Sequence, residues 1–496
     1  MSTHPFIART EEQEKFKETL ESYRTNWRQR HFPTVAKLFS SSVIGSKSIQ
    51  PRIFLFYGDG GMGKTKLVER LRQIVGDSAR YRRGFNTLHI DWEIEKNRPN
   101  SLLSADHSSV HPETVLSTIH NRLADEYRNQ ASFFGEYKKI EATLSSLERK
   151  VERELELLNS PSEDLRQNLS QLGARGITAL ARQFYGVDLS NPEAQRNMEY
   201  AVNFSIEIGT GIIRGVQTFL EKTLEKREYE IFVRPHEKLS EALGKGFASF
   251  SSSKPTVVMM DTYEIVDRKE CDYTLRNVIK NSGDNVIWVI VGRSNIATSK
   301  RLISDNFTGY RQDFPSELVY AKRLSEFGKS EILKYFKERI PKRVINEAQA
   351  AKLGEISLGI PFVIAEAAEM WLNGVSFDEI TSPISAGRLA ESNPRERIIK
   401  EMTERFLRNC FVEHDIEIIY SLALLRKPSI HSYSNVELLE EMLETKRLEQ
   451  ELRRLLEKYS FISTEKVGLE DKFHYFLRDY MLFPLRKTND LIQAPN

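Results

Sequence analysis

Cysteine is nearly absent, with only Cys271 and Cys410 in 496 residues. That excludes a disulfide framework and a four-cysteine metal centre. No run approaches the ~20 uncharged apolar residues that a spanning helix needs. The opening Met1-Ser-Thr-His-Pro5 lacks the basic-then-apolar pattern of a secretion signal. A surplus of either charge is also missing, since 72 Lys and Arg stand against 70 Asp and Glu for a net +2. So balanced a chain offers no dominant grip on nucleic acid or anionic lipid, although a local basic face is compatible with it. These absences point to a cytoplasmic protein from a reducing compartment with no membrane partner.

Aromatic residues are plentiful. The 27 Phe and 18 Tyr, within a hydrophobic fraction of 40%, supply real cores and exclude a disordered or collagen-like chain. Pro51–Tyr57, Asn86–Trp92, Thr256–Asp261 and Val286–Val291 read as short apolar strands. Their runs are unbroken rather than alternating, which predicts a parallel sheet covered on both faces. Between the second and third strands, Leu144, Leu147, Val151, Leu155 and Leu158 recur at helical spacing among charged residues. This predicts a large helical insertion at about 130–235, packed on the core or reaching a partner. Helices follow from Leu324 to about Glu379, then a break at Ser382–Gly387. Three further helices, a hairpin near Phe461–Phe473 and a last helix predict a winged helix. The expected domains are a lead region (1–50), an α/β P-loop core with the insertion (51–320), a small helical domain (321–390) and the winged helix (391–490).

The chemistry concentrates after the first strand, in Gly58-Asp-Gly-Gly-Met-Gly-Lys-Thr65. Gly58, Gly60, Gly61 and Gly63, with Met62, form a loop whose backbone N–H groups can converge on phosphate oxygens. Lys64 supplies a cation for the β- and γ-phosphates, Thr65 a hydroxyl for Mg²⁺, and the helix opening at Thr65 and Lys66 its positive end. A strand before the loop and a helix after it are the context such a motif requires. Asp261 ends the third strand and is the expected second Mg²⁺ group. Thr262 follows it, where many hydrolysing ATPases carry a glutamate. Glu264 then either polarises water or pairs with a nearby cation. Arg293, after the fourth strand, either reads the γ-phosphate or is a surface arginine.

Several of these segments resemble one family. Phe6-Ile7-Ala8-Arg9 is similar to the hydrophobic-hydrophobic-Gly-Arg opening of AAA+-related signalling ATPases, with Ala8 in place of Gly. Asp261-Thr-Tyr-Glu264 resembles the Walker B segment of STAND ATPases, and its later carboxylate that of NACHT proteins. Leu358-Gly-Ile-Pro361 resembles the Gly-x-Pro motif of the helical domain in NB-ARC-like modules. Phe473-His-Tyr475 resembles the Met-His-Asp motif of their winged helix, with only His474 retained. The resemblance implies that Ile7 and Arg9 border the nucleotide, Pro361 packs against adenine and His474 contacts the ADP β-phosphate. It further implies a slow ATPase acting as a switch in bacterial immunity or regulation, closed with ADP and opening or forming homo-oligomers with ATP.

The alternative is an initiator-like AAA+ ATPase that binds DNA through the winged helix. Acids and bases interleave along the candidate recognition helix, Lys446–Lys458, with Glu440, Glu441 and Glu444 just before it. A DNA-reading helix favours a cleaner basic face, so the switch is preferred. No repeat of ~20–50 residues marks a sensor, and the lead is short for an effector. Sensor and effector are therefore expected from a longer chain or from partner proteins.

Overall fold

The computed structural model describes residues 6–31, 50–77, 80–98, 103, 110–156, 210–267, 269–298 and 308–382, with 398, 418, 440 and 441 singly. The expected winged helix, His474 included, lies outside the described residues apart from those last four, and so does 157–209 of the insertion.

Five strands form the sheet: β1 (Ile53–Tyr57), β2 (Asn86–Asp91), β3 (Thr256–Asp261), β4 (Val286–Gly292) and β5 (Val319–Arg323). Every pairing is parallel, in the order β2-β3-β4-β1-β5. An α/β P-loop core is thus the architecture. β3 and β4 are buried at every position, as strands with helices on both faces must be. Because side chains alternate across a strand, each apolar run feeds two cores. Ile53, Leu55, Val258, Met260, Trp288 and Ile290 enter one; Phe54, Phe56, Val257, Met259, Ile287 and Val289 enter the other.

The described helices are α1 (Thr10–His31), α2 (Lys64–Gly76), α3 (Trp92–Asn97), α4 (Pro112–Glu126), α5 (Gly135–Glu156), α6 (Thr210–Thr223), α7 (Lys226–Val233), α8 (Pro235–Ser253), α9 (Lys269–Asn281), α10 (Tyr310–Asp313), α11 (Lys329–Arg339), α12 (Glu347–Ser357), α13 (Pro361–Leu372) and α14 (Phe377–Ile380). α1 and α2 cover one face of the sheet, where Phe16 meets Phe54 edge to face at 5.6 Å. α4, α8 and α9 cover the other.

The insertion is seated on this second face. His120 of α4 stacks on Tyr137 of α5 at 4.6 Å, and Phe134 packs edge-on against Phe247 of α8 at 5.8 Å. Lys150 and Glu228, 2.7 Å apart, join α5 to α7. Among the described residues no helix is long and apolar enough to cross a membrane.

After β5 the chain passes into α11–α14. α12 opens on a reciprocal cap in which Asn346 and Gln349 each accept the other's backbone N–H at 2.9 Å. α13 opens on Pro361, where the missing N–H costs nothing.

Candidate functional site

In open α/β sheets, ligands gather outside the carboxyl ends of the strands. Here β1 ends at Tyr57, and Gly58–Gly63 carry the chain into α2. Gly61 and Gly63 have φ of 77° and 78°, which a Cβ would strain. Gly63 is the N-cap of α2 and gives it no side-chain cap, and the first turn holds no acid. Its leading N–H groups therefore need an outside acceptor, and the helix dipole favours an anion there. Lys64 curls back over the loop, donating to the carbonyls of Gly58 at 2.7 Å and Asp59 at 2.8 Å. Thr65 and Lys66 are exposed at the helix mouth, and Lys66 pairs with Glu69 at 2.8 Å.

Residues far apart in sequence meet around Lys64. Burial pushes its ammonium below the ordinary lysine value; Glu264 opposes that shift, Arg293 adds to it, and Asp261 and Asp59 oppose it. Asp261 is 1% exposed at the end of β3 and accepts the N–H of Thr262 at 2.8 Å. Thr262 sits in the left-handed region at φ 54° and leads into a 3-10 turn, Tyr263–Ile265. The turn presents Glu264 to Arg293, whose Nε donates to Oε1 at 3.0 Å. Glu264 and Arg293 are thus an ion pair beside the loop. Arg293 is well exposed, yet it is not an isolated surface cation.

Two outer segments close on the loop. Arg9 is buried at 7% exposure, and burial lowers its pKa while Glu12, Glu331 and Glu326 pull it back. Its guanidinium donates to the Met62 carbonyl at 3.0 Å, the Ser325 carbonyl at 2.7 Å and the Ser325 hydroxyl at 3.2 Å. Arg9 thereby fastens the N-terminal segment, the loop and the exit from β5 to one another. Ile7 beside it is buried. From the helical side, the Phe362 N–H donates to the Gly61 carbonyl at 3.1 Å, which sets Pro361 next to the loop. Gly359 makes this approach feasible. At φ 66° it accepts the Phe327 N–H at 2.7 Å, and a Cβ there would lie 2.6 Å from the Phe327 carbonyl.

Sequence reasoning missed some of these residues. Asp91 ends β2 as Asp261 ends β3, and the two are register partners; its carboxylate caps α3 and lies 3.5 Å from the Thr262 hydroxyl. The same strand-then-Asp signal that picked out Asp261 was available for it. Arg323, at the end of β5, reaches Asp59 at 3.7 Å, and neither it nor Ser325 carries a local signal. Among the described residues no cluster of three or more His, Cys, Asp or Glu could hold a metal unaided. Asp261 and Thr65 fit Mg²⁺ only as partners of a phosphate ligand, the mode in which few protein groups suffice.

No family model matches the chain, and no curated protein matches it. Among solved structures, the Walker-type ATPase of Pyrococcus abyssi aligns over 96% of this chain and 96% of that one, at 14% identity and a TM-score of 0.33. The assignment of a P-loop core stands on the sheet order and the loop themselves.

Proposed function

We propose that the chain is an ATP- and ADP-binding switch of the STAND type that hydrolyses ATP slowly. The observation that carries this reading is the double contact on the phosphate loop. Arg9 bonds the Met62 carbonyl from the N-terminal side, and Phe362 bonds the Gly61 carbonyl from the helical side. A ligand that reshapes the loop thus acts on both neighbours at once. A ligand-driven population shift requires such a coupling between the loop and its neighbours.

In this reading the N–H groups of Gly60–Lys66 and the Lys64 ammonium bind the phosphates, the Gly58 N–H being taken by the Gly292 carbonyl at 3.3 Å, while Ile7 and Pro361 border the base. Thr65 and Asp261 would hold Mg²⁺, which supplies charge neutralisation at the β- and γ-phosphates. The γ-phosphate competes with Glu264 for Arg293, so ATP and ADP differ in whether this pair is broken. Glu264, once released, orients a water. The water oxygen bonds to the γ-phosphorus as the bond to the β–γ bridging oxygen breaks. ADP leaves with that oxygen, and the water's proton passes to Glu264 and then to the product phosphate. With Thr262 after Asp261, turnover is slow.

The winged helix, with His474 on the ADP β-phosphate in the closed state, and ATP-driven homo-oligomerisation complete the proposal on the strength of the motif resemblance.

The test is calorimetry of Mg²⁺-ATP and ADP on the wild type and Lys64→Ala. That variant loses the loop's phosphate-directed cation and is expected to bind both nucleotides at least a hundredfold more weakly. Wild-type affinity in Lys64→Ala, with an unchanged melting curve, would remove the nucleotide site from Lys64.

A further inference from the structure

Away from the loop lies a buried charge cluster that the proposed chemistry does not use. On α9 the Arg276 side chain is 1% exposed and that of Asp272, one turn earlier, 0%; their charged atoms lie 2.5 Å apart. The same guanidinium reaches Asp313 at 2.6 Å and the Thr308 carbonyl at 2.7 Å, and it stands 4.4 Å from the centre of the Tyr310 ring. Asp272 also accepts the Tyr263 hydroxyl at 2.9 Å. α9 is therefore tied on one side to the turn that follows β3, and on the other to the 308–313 segment that follows β4.

Such a cluster is a poor way to gain stability, because desolvation consumes most of what the charges return. Apolar side chains of the same volume would serve as well. What directional ion pairs and hydrogen bonds add is a fixed geometry, and here the geometry fixed is that of Tyr263. The next residue is Glu264. A Cβ built on Gly292 would meet Glu264 Oε2 and Tyr263 Cβ, each at 3.4 Å, so both residues lie against the last position of β4. Any slip of the turn displaces the Glu264 carboxylate from Arg293.

We propose that Tyr263 is a positioning residue for nucleotide hydrolysis: its hydroxyl, anchored on the Asp272–Arg276–Asp313 cluster, holds the turn that carries Glu264 against the end of β4, so that the carboxylate released from Arg293 is already aimed at the phosphate loop. This rests on the reading of Glu264 as the group that orients water. The phenol ring is needed to fill the core, and Tyr263 is 2% exposed; the hydroxyl is needed to aim its neighbour. Phenylalanine separates the two roles, since it keeps the ring and removes only the anchor.

The experiment is single-turnover and steady-state hydrolysis of Mg²⁺-ATP by the full chain as wild type, Tyr263→Phe, Glu264→Gln and the double variant, with melting curves alongside. Tyr263→Phe is expected to lower kcat about tenfold at unchanged KM. In the Glu264→Gln background the same change is expected to do nothing further, because the hydroxyl acts through Glu264. Equal rates for wild type and Tyr263→Phe overturn the proposal, whether or not the melting point falls. A loss that persists in the Glu264→Gln background also overturns it. If Glu264→Gln alone hydrolyses like the wild type, the reading of Glu264 has failed and this one with it. Should Tyr263→Phe not fold, Asp313→Asn at the cluster's outer edge carries the same cycle, with the same expected loss and the same cancellation.

Discussion

Replacing Arg9 by alanine removes three hydrogen bonds, and they divide by what they fasten. The bond to the Met62 carbonyl holds the phosphate loop. The two bonds to Ser325 hold the exit from β5 against the N-terminal segment. A buried bond from a charged donor is worth about 1.5–3 kcal/mol when its loss strands an acceptor. The loop share is one such bond, so nucleotide affinity should fall by roughly ten- to a hundredfold. The Ser325 share should show as lost stability of similar size, and the two need not add because one guanidinium serves both. Arg9→Lys retains a cation but not the planar fork; it should recover part of the stability and little of the loop bond's contribution. Calorimetry with ADP gives the affinity, and thermal melting without nucleotide gives the stability. If Arg9→Ala melts lower yet binds ADP as the wild type does, Arg9 is a staple of the fold and the loop does not depend on it. That result would also weaken the switch reading, which uses the Arg9–Met62 contact as one of its two couplings.

Two further outcomes follow from backbone and burial. Ala8 stands at φ 63°, where an L side chain costs about 1–2 kcal/mol, partly offset by the greater unfolded freedom of glycine; Ala8→Gly should therefore stabilise the chain by roughly 0.5–1 kcal/mol in denaturant melts, and a destabilised variant would contradict the assigned conformation. Burial holds the His120 pKa below its ordinary 6.5, with Lys138 adding to the shift and Asn121 opposing it. The unfolded chain then binds the proton more readily, so this contribution is fully present above about pH 6.5 and is lost as the pH falls toward the depressed value. His120→Phe keeps the ring on Tyr137 and should flatten that part of the pH–stability curve; an unchanged slope would exclude His120 as its source.

The sheet was legible where burial is uniform. β1, β3 and β4 read as unbroken apolar runs because both faces of each are covered, and the bounds expected for them were correct to within two residues. β5 was missed. Its sequence, Val-Tyr-Ala-Lys-Arg, is an edge strand whose side chains grow more exposed toward Arg323, so neither alternation nor an apolar run marks it. The phosphate loop could be read because its chemistry is local, one strand, one turn and one helix end. The contacts that give the site its couplings are not local. Arg9 meets Ser325, Glu264 meets Arg293 and Gly61 meets Phe362 only once the sheet order has brought their segments together, and nothing in the flanking residues announces the pairing. The segment Leu358–Pro361, singled out by resemblance, leads straight into Phe362, whose backbone N–H meets the loop, and no side-chain pattern announces that contact.

The loop's two outward contacts also bear on its peptide units. In a trans peptide the N–H points opposite to the C=O. The carbonyl of Gly61 shares a peptide plane with the N–H of Met62, and the carbonyl of Met62 with the N–H of Gly63. Since those carbonyls face Phe362 and Arg9, the two N–H groups face away from both contacts, which in the proposed reading is the side of the phosphates. Each plane is therefore a small dipole with protein at one end and, in the proposed reading, a phosphate at the other. An anion drawing on the N–H raises the electron density on the oxygen, strengthening the bond behind it by ~10–30% per link. In the proposed reading, occupancy would reach Arg9 and Phe362 as polarisation before any atom moves, so that the loop would transmit charge as well as shape.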